Sequence, residues 1–224
     1  MTNKASAVEL LEEQKYTISP DIMKAFVCEM QVYRAAIKEM RTKLENLDDS
    51  FQARYEYNPI HHIETRLKSI PSILKKLEAR NIPMSIENMN NELSDIAGVR
   101  VICNYFDDVE QVADMLLSQD DVTLIRRKDY HRHPSETGYR SLHLVVSIPV
   151  FLAGERRDVA VEIQIRTIAM DLWASLEHQL RYKNRHNTPI PEELSERLYT
   201  CALALAEVDK EMQMIYDAIL KLNN

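Results

Sequence analysis

Two alternating runs, Tyr139 to Val146 and Val159 to Arg166, flank a turn-rich middle and constrain this chain more than any other stretch. In an extended strand neighbouring side chains point to opposite faces, so Leu142, Leu144, Val146 and Ile148 share one side while Tyr139, Ser141 and His143 share the other. In the second run Val161, Ile163 and Ile165 oppose Glu162, Gln164 and Arg166. Paired as an antiparallel hairpin, the runs offer one apolar face to a core. The other face collects a phenol, an imidazole, a carboxylate, an amide and a guanidinium, which makes it a candidate site.

The rest of the chain must cover the apolar face. With 224 residues, 45% of them hydrophobic, it can bury one sizeable core. Only three glycines argue against an all-β protein, whereas ten methionines and abundant Leu, Glu, Lys and Ala favour helix, so the expected class is α/β (α+β). Residues 1–19 read as a flexible arm and 20–224 as a single domain. Helical spacing of Ile22, Phe26, Met30, Tyr33, Ile37, Met40, Leu44 and Leu47 predicts a long helix over 20–47, broken by Asp48-Asp49-Ser50 and followed by an aromatic connector, 51–58. A strand over 60–68 leads to a helix over 70–81 with Ser69 as N-cap and Pro71 in its first turn. A short helix over 88–93, a strand around 96–103 and a helix over 107–119 capped by Asp107 or Asp108 come next. A short strand, 122–125, then runs into the basic stretch Arg126-Arg127-Lys128. The loop His131 to Gly138 reads as a mobile lid. After the hairpin, a helix over 168–182 should turn Ile168, Leu172, Leu176 and Trp173 inward, and a last long helix spans 191–222. The apolar stripes of the two terminal helices exceed what a small sheet needs, which predicts contacts between copies of the chain.

Composition excludes several classes. A net charge of −7 gives no global attraction to nucleic acid or anionic membrane, so any anion site is local. Cys28, Cys103 and Cys201 have no metal-type spacing and read as reduced thiols. The amino terminus lacks an apolar leader core and no run of 18 apolar residues occurs, so a cytoplasmic protein without membrane contact is expected. His131 and His133 lack a third ligand, which argues against a metal site in that loop.

Phosphoryl-type transfer needs carboxylates for a divalent metal and cations for phosphates. Asp95 and Glu162 qualify for the first role, and Arg66, Lys68, Lys76 and Arg100 for the second. Arg100 lies in an otherwise apolar strand and requires a partner, either Asp95 or a ligand. Tyr139 offers a ring for stacking on a base. No P-loop, dinucleotide-binding glycine pattern, HExxH or Ser-His-Asp arrangement is present.

Four motifs sharpen this reading: Asp95-Ile96-Ala97-Gly98-Val99-Arg100, Gly138 to His143, Val161 to Thr167, and Trp173-Ala174-Ser175-Leu176-Glu177-His178. In order and spacing they resemble the synthetase domain of RelA/SpoT alarmone enzymes, in particular the small, synthetase-only RelQ type. The resemblance covers roughly residues 20–215. It implies a nucleotidyltransferase-like mixed sheet of about five strands wrapped by helices, and transfer of pyrophosphate from ATP to the 3'-hydroxyl of GDP or GTP. It further implies Asp95 and Glu162 on Mg2+, with Glu162 also as base, Arg66 and Arg100 on adenine, and Lys68 and Lys76 on the ATP phosphates. Tyr139, His143 and Gln164 would meet the acceptor. It carries no catalytic role onto Lys128. A homotetramer with an alarmone site between subunits is also implied. Two other readings remain open at this point. One is a toxin-like relative acting on adenine nucleotides or the tRNA 3' end. The other is a non-catalytic regulator that binds nucleotide or single-stranded RNA through Arg126, Arg127, Arg132 and Arg140.

Overall fold

The computed structural model describes residues 20–183 and 190–223; the arm over 1–19 lies outside them. The chain begins with α1 (Pro20–Tyr55), β1 (Ile60–Leu67), α2 (Ile70–Ala79) and α3 (Ile86–Glu92). It continues through β2 (Ala97–Cys103), α4 (Phe106–Leu117), β3 (Thr123–Asp129), β4 (Leu142–Leu152) and β5 (Glu155–Thr167), and ends with α5 (Ile168–Lys183) and α6 (Glu192–Asn223). Five strands form one mixed sheet in the order β1-β2-β5-β4-β3, in which only β2 and β5 run parallel.

The hairpin is longer than its most regular stretches. β4 and β5 pair from Leu142 opposite Ile165 out to Leu152 opposite Glu155, leaving a two-residue turn whose Gly154 sits at φ +95°. A side chain there would be strained, so glycine suits the turn. The apolar side chains of β4 and β5 fall on one face and meet α1, whose Phe26, Met40 and Leu44 are fully buried. Arg157 of β5 donates to both carboxylate oxygens of Glu29 at 2.6 and 2.8 Å, and Asn90 of α3 donates to the same carboxylate, tying three elements together. Although burial alone would raise the Glu29 carboxyl, its bonds from Arg157 and Asn90 hold it below the usual range.

Three local readings need correction. First, α1 does not stop at Asp48 but continues to Tyr55. Asp48 is absorbed because its carboxylate accepts from Asn58 Nδ2 and Ile60 N in the following segment, while Phe51 and Tyr55 pack one turn apart at 5.0 Å. Second, neither Asp107 nor Asp108 occupies the N-cap of α4. Asp108 is the third helical residue and reaches back to Tyr105 N at 2.9 Å while accepting from Tyr57 OH. Third, β3 extends through Arg126-Arg127-Lys128 to Asp129.

Burial pushes the Asp108 carboxyl up to about 6, against the lowering effect of its bonds from Tyr57 and Tyr105. A carboxyl raised on folding holds its proton longer in the folded state. Its contribution to stability is therefore complete below about pH 4 and is lost as pH rises through about 6. Asp108→Asn removes this dependence. Chemical denaturation of both proteins from pH 4 to 7 should show the Asn variant gaining on the wild type by at most about 3 kcal/mol, with the gain confined to that window. A constant difference across the range would assign the raised value elsewhere.

Ser69 caps α2 as expected, accepting from Ser72 N at 3.4 Å. The terminal helices differ in use. α1 turns most of its apolar stripe into the core, whereas α6 leaves Leu203, Val208, Met212, Ile215 and Ile219 exposed. In α5 the side chains turned inward are Met170, Trp173 and Ala174, not Ile168, Leu172 and Leu176, which are about half exposed. The cause is the junction: α5 follows β5 without a loop, Thr167 Oγ1 accepts from Met170 N and donates to Asp209 of α6, and Trp173 Nε1 donates to Leu198 O. These bonds hold the helix in the rotation that turns Met170, Trp173 and Ala174 inward.

Candidate active site

The face of the sheet opposite α1 is polar because the alternation of all five strands coincides there. In one row across the sheet, Glu64, Arg100, Gln164, His143 and Lys128 are successive cross-strand neighbours. The adjacent row runs Arg66, Gly98, Glu162, Val145 and Arg126. Gly98 thus leaves an open position between Arg66 and Glu162. A Cβ there would meet Arg66 O at 3.4 Å.

Asp95 stands two residues before the start of β2, in the segment that leads into it from α3. Its Oδ2 receives Lys68 Nζ at 2.5 Å and Lys76 Nζ at 2.6 Å, while Oδ1 is buried without a partner. Burial raises the carboxyl, but the two ammonium groups together outweigh it and hold it below the ordinary range. Lys68 is placed by its backbone bond to Ile96 O, and Lys76 by α2. Glu162 differs. Among the described residues it has no hydrogen-bond or ion-pair partner, and burial together with the charge of Asp95 raises its pKa. One carboxylate is therefore held anionic by two cations, and the other is kept basic by its surroundings.

Arg66 is exposed and has no ion-pair or hydrogen-bond partner among the described residues. Arg100 is ion-paired to Glu64 at 3.2 Å and to Asp171 at 3.4 Å, and not to Asp95. Tyr139 precedes β4 and does not lie on it, yet its hydroxyl still reaches His143 Nε2 at 2.7 Å. Burial, with Arg166, Lys128 and Arg126 nearby, depresses His143 to about 4, so the ring is neutral at physiological pH. The loop before Tyr139 is braced by Gly138 N to Ser135 O and by Ser135 N to Tyr139 O. Gly138, at φ +86°, abuts α6 so closely that a Cβ would lie 2.6 Å from that of Ala202. His131 in this loop is fully buried against Phe106.

Three more residues belong to the site: Arg126, read from the sequence only as part of a basic stretch, Arg166, placed on the polar face without a role, and Asp171, which no sequence pattern singled out. Arg126 lies in the Glu162 row and donates to Ser94, the neighbour of Asp95, at 2.9 Å. Arg166 is buried and donates to Tyr139 OH at 2.6 Å, Gln164 Oε1 at 2.9 Å and Asp171 Oδ1 at 3.0 Å. Asp171 is the third. The four arginines suggested as a strand-binding patch do not form one surface. Arg126 faces the site, Arg127 and Arg132 both pair with Glu110, and Arg140 donates to His131 O.

Residues 65–187 match the region found in RelA / SpoT proteins. The chain is 37% identical over 191 residues to the GTP pyrophosphokinase YwaC of Bacillus subtilis, covering 85% of this chain and 90% of that protein. The chain belongs to the RelA/SpoT family. A second B. subtilis member, the GTP pyrophosphokinase YjbM, is 39% identical over 184 residues, 82% of this chain and 84% of its own length. Among solved structures, the small alarmone synthetase 1 of B. subtilis bound to its product pppGpp superposes with a TM-score of 0.78 at 35% identity, covering 88% of this chain and 98% of that one. A GTP pyrophosphokinase family protein of Streptococcus pneumoniae gives 0.79 at 33% identity, over 92% and 97% of the two chains. The RelA/SpoT match starts inside β1 and runs through α5, and so contains Asp95, Glu162, Tyr139, His143, Gln164, Arg166 and Asp171.

Proposed function

We propose that this protein is a (p)ppGpp synthetase of the stringent response, transferring the β,γ-pyrophosphate of ATP to the ribose 3'-hydroxyl of GDP or GTP. The observation that carries the reading is the opposed state of the two carboxylates, Asp95 clasped by two lysines and Glu162 without a hydrogen-bond or ion-pair partner among the described residues. Glu162 takes the proton of the 3'-hydroxyl, the 3'-oxygen forms a bond to the β-phosphorus, and the bond from that phosphorus to the α,β-bridging oxygen breaks. AMP leaves with the bridging oxygen and its charge. Lys68 and Lys76 pass from Asp95 to the triphosphate, a partner of higher charge at the same end of the sheet. Arg66 and Arg100 flank the open Gly98 position on the donor side. Neutral His143 and half-buried Tyr139 orient the acceptor with Gln164.

Mg2+ is included in this reading. Among the described residues no three acidic, His or Cys side chains converge as a metal cage. A magnesium site does not need one, because one or two carboxylates plus substrate phosphates and water suffice. Asp95, with its unpartnered Oδ1, and Glu162 are the residues that fit. When bound, the metal neutralises phosphate charge developing in transfer. The reading extends to a cytoplasmic homotetramer regulated by alarmone, with the exposed apolar residues of α5 and α6 between copies. No helix among the described residues is long and apolar enough to cross a membrane.

Incubation with ATP and a panel of acceptors, followed by chromatography, tests the assignment. GDP and GTP should each yield a 3'-pyrophosphorylated product, and ADP, ATP and deacylated tRNA should not. Modification of adenine nucleotides or tRNA alone would replace this function with the toxin-like one. A variant tests the donor side. Gly98→Val puts a branched side chain into the gap beside Arg66 and should raise the KM for ATP about tenfold, or about 1.4 kcal/mol of binding, with Gly98→Ala milder. Steady-state kinetics at saturating acceptor measures both.

A further inference from the structure

All three residues assigned to the acceptor hang on one buried guanidinium. Arg166 Nη2 donates to both Tyr139 OH and Gln164 Oε1, and Tyr139 OH in turn meets His143 Nε2. Arg166 is only 4% exposed, and a charge so buried requires an anion. Asp171 is its one ion-pair partner among the described residues, and the same oxygen, Oδ1, lies 3.4 Å from Arg100 Nη1 on the donor side. The other oxygen, Oδ2, accepts from Ser175 Oγ at 3.4 Å. Asp171 reaches this position because α5 starts directly after β5, which brings the first helical turn back over the end of the strand.

We propose that Asp171 is the positioning residue of the acceptor site: it orients Arg166, and through it Tyr139, Gln164 and His143, while sharing one carboxylate oxygen with donor-side Arg100. The two arginines depend on it unequally. Arg100 keeps Glu64 as a second carboxylate, at 3.2 Å, whereas Arg166 has no second one among the described residues. Loss of the Asp171 charge therefore falls on acceptor recognition more than on ATP. A group that merely stabilised the fold would reduce the amount of active protein without separating the two substrates.

This inference rests on the synthetase reading, and the kinetics separate the two. Asp171→Asn should raise the acceptor KM about tenfold, change the ATP KM less than threefold and leave kcat per folded molecule within a few-fold. Asp171→Glu should recover part of the acceptor affinity. Ser175→Ala loosens Asp171 without unpairing Arg166 and should raise the acceptor KM about two- to threefold, which keeps the test available if the Asn variant folds poorly. An ATP KM that rises as much as the acceptor KM overturns the proposal, as does an unchanged acceptor KM accompanied only by a lower Tm. Wild-type protein that forms no product removes the synthetase reading itself and this inference with it.

Discussion

Glu162→Gln should lower kcat by about three orders of magnitude, within the 10²–10⁴ range for removal of a positioned general base, while the fold stays intact. The glutamine has the same shape and can still touch a hydroxyl, but it neither accepts the 3'-proton nor contributes charge to a metal. The usual cost of replacing a partly buried carboxylate is absent, because Glu162 has no hydrogen-bond or ion-pair partner among the described residues to leave stranded. An ionised carboxylate facing Asp95 in a desolvated place opposes folding. The Gln variant should therefore unfold at the same denaturant concentration as the wild type or a higher one. Rates from quenched product assays and midpoints from chemical denaturation provide the check. A variant retaining a tenth of wild-type activity would move the base elsewhere.

Asp95→Asn should have the opposite balance, losing activity about 10²- to 10³-fold and stability as well. Its carboxylate is the common partner of Lys68 and Lys76, and without it two ammonium groups are left converging on a neutral amide. The pair is partly exposed, which discounts the loss to about 1–2 kcal/mol. The sign with pH follows from the lowered pKa of Asp95. A carboxyl depressed on folding contributes above its unfolded value and loses that contribution as pH falls through its folded value. The stability gap between wild type and variant should thus be full at pH 7 and close in acid. The gap should also narrow with salt, unlike that of a packing defect.

The contrast between the two carboxylates was only half legible in the chain. Alternation located the face bearing Glu162, Gln164 and His143, because a period of two is local and the strands keep it. That Asp95 would be clasped by lysines and Glu162 left unpartnered depends on how β1, β2 and α2 meet, which no local pattern encodes. Asp171 escaped notice for a related reason. It lies in a stretch where apolar residues occur on more than one side of the helix, so periodicity suggested Ile168, Leu172 and Leu176 as the buried edge. The junction with β5 kept Trp173 inward as expected but set Met170 and Ala174 beside it in place of the other three. The persistence of α1 past Asp48 was hidden likewise, since a helix-breaking aspartate is harmless once its oxygens are claimed by Asn58 and Ile60. Arg127 and Arg132 share Glu110 of α4, a pairing across distant stretches of the chain that no local pattern encodes.

The transfer of pyrophosphate as a unit is the centre of this account, and ATP labelled at its β-phosphate tests it most directly. With GDP or GTP as acceptor, one AMP should form per acceptor modified, and the label should appear in the 3'-diphosphate, attached to the ribose oxygen. Accumulation of ADP with a single phosphate on the acceptor, or AMP released without any modified guanine nucleotide, would contradict it.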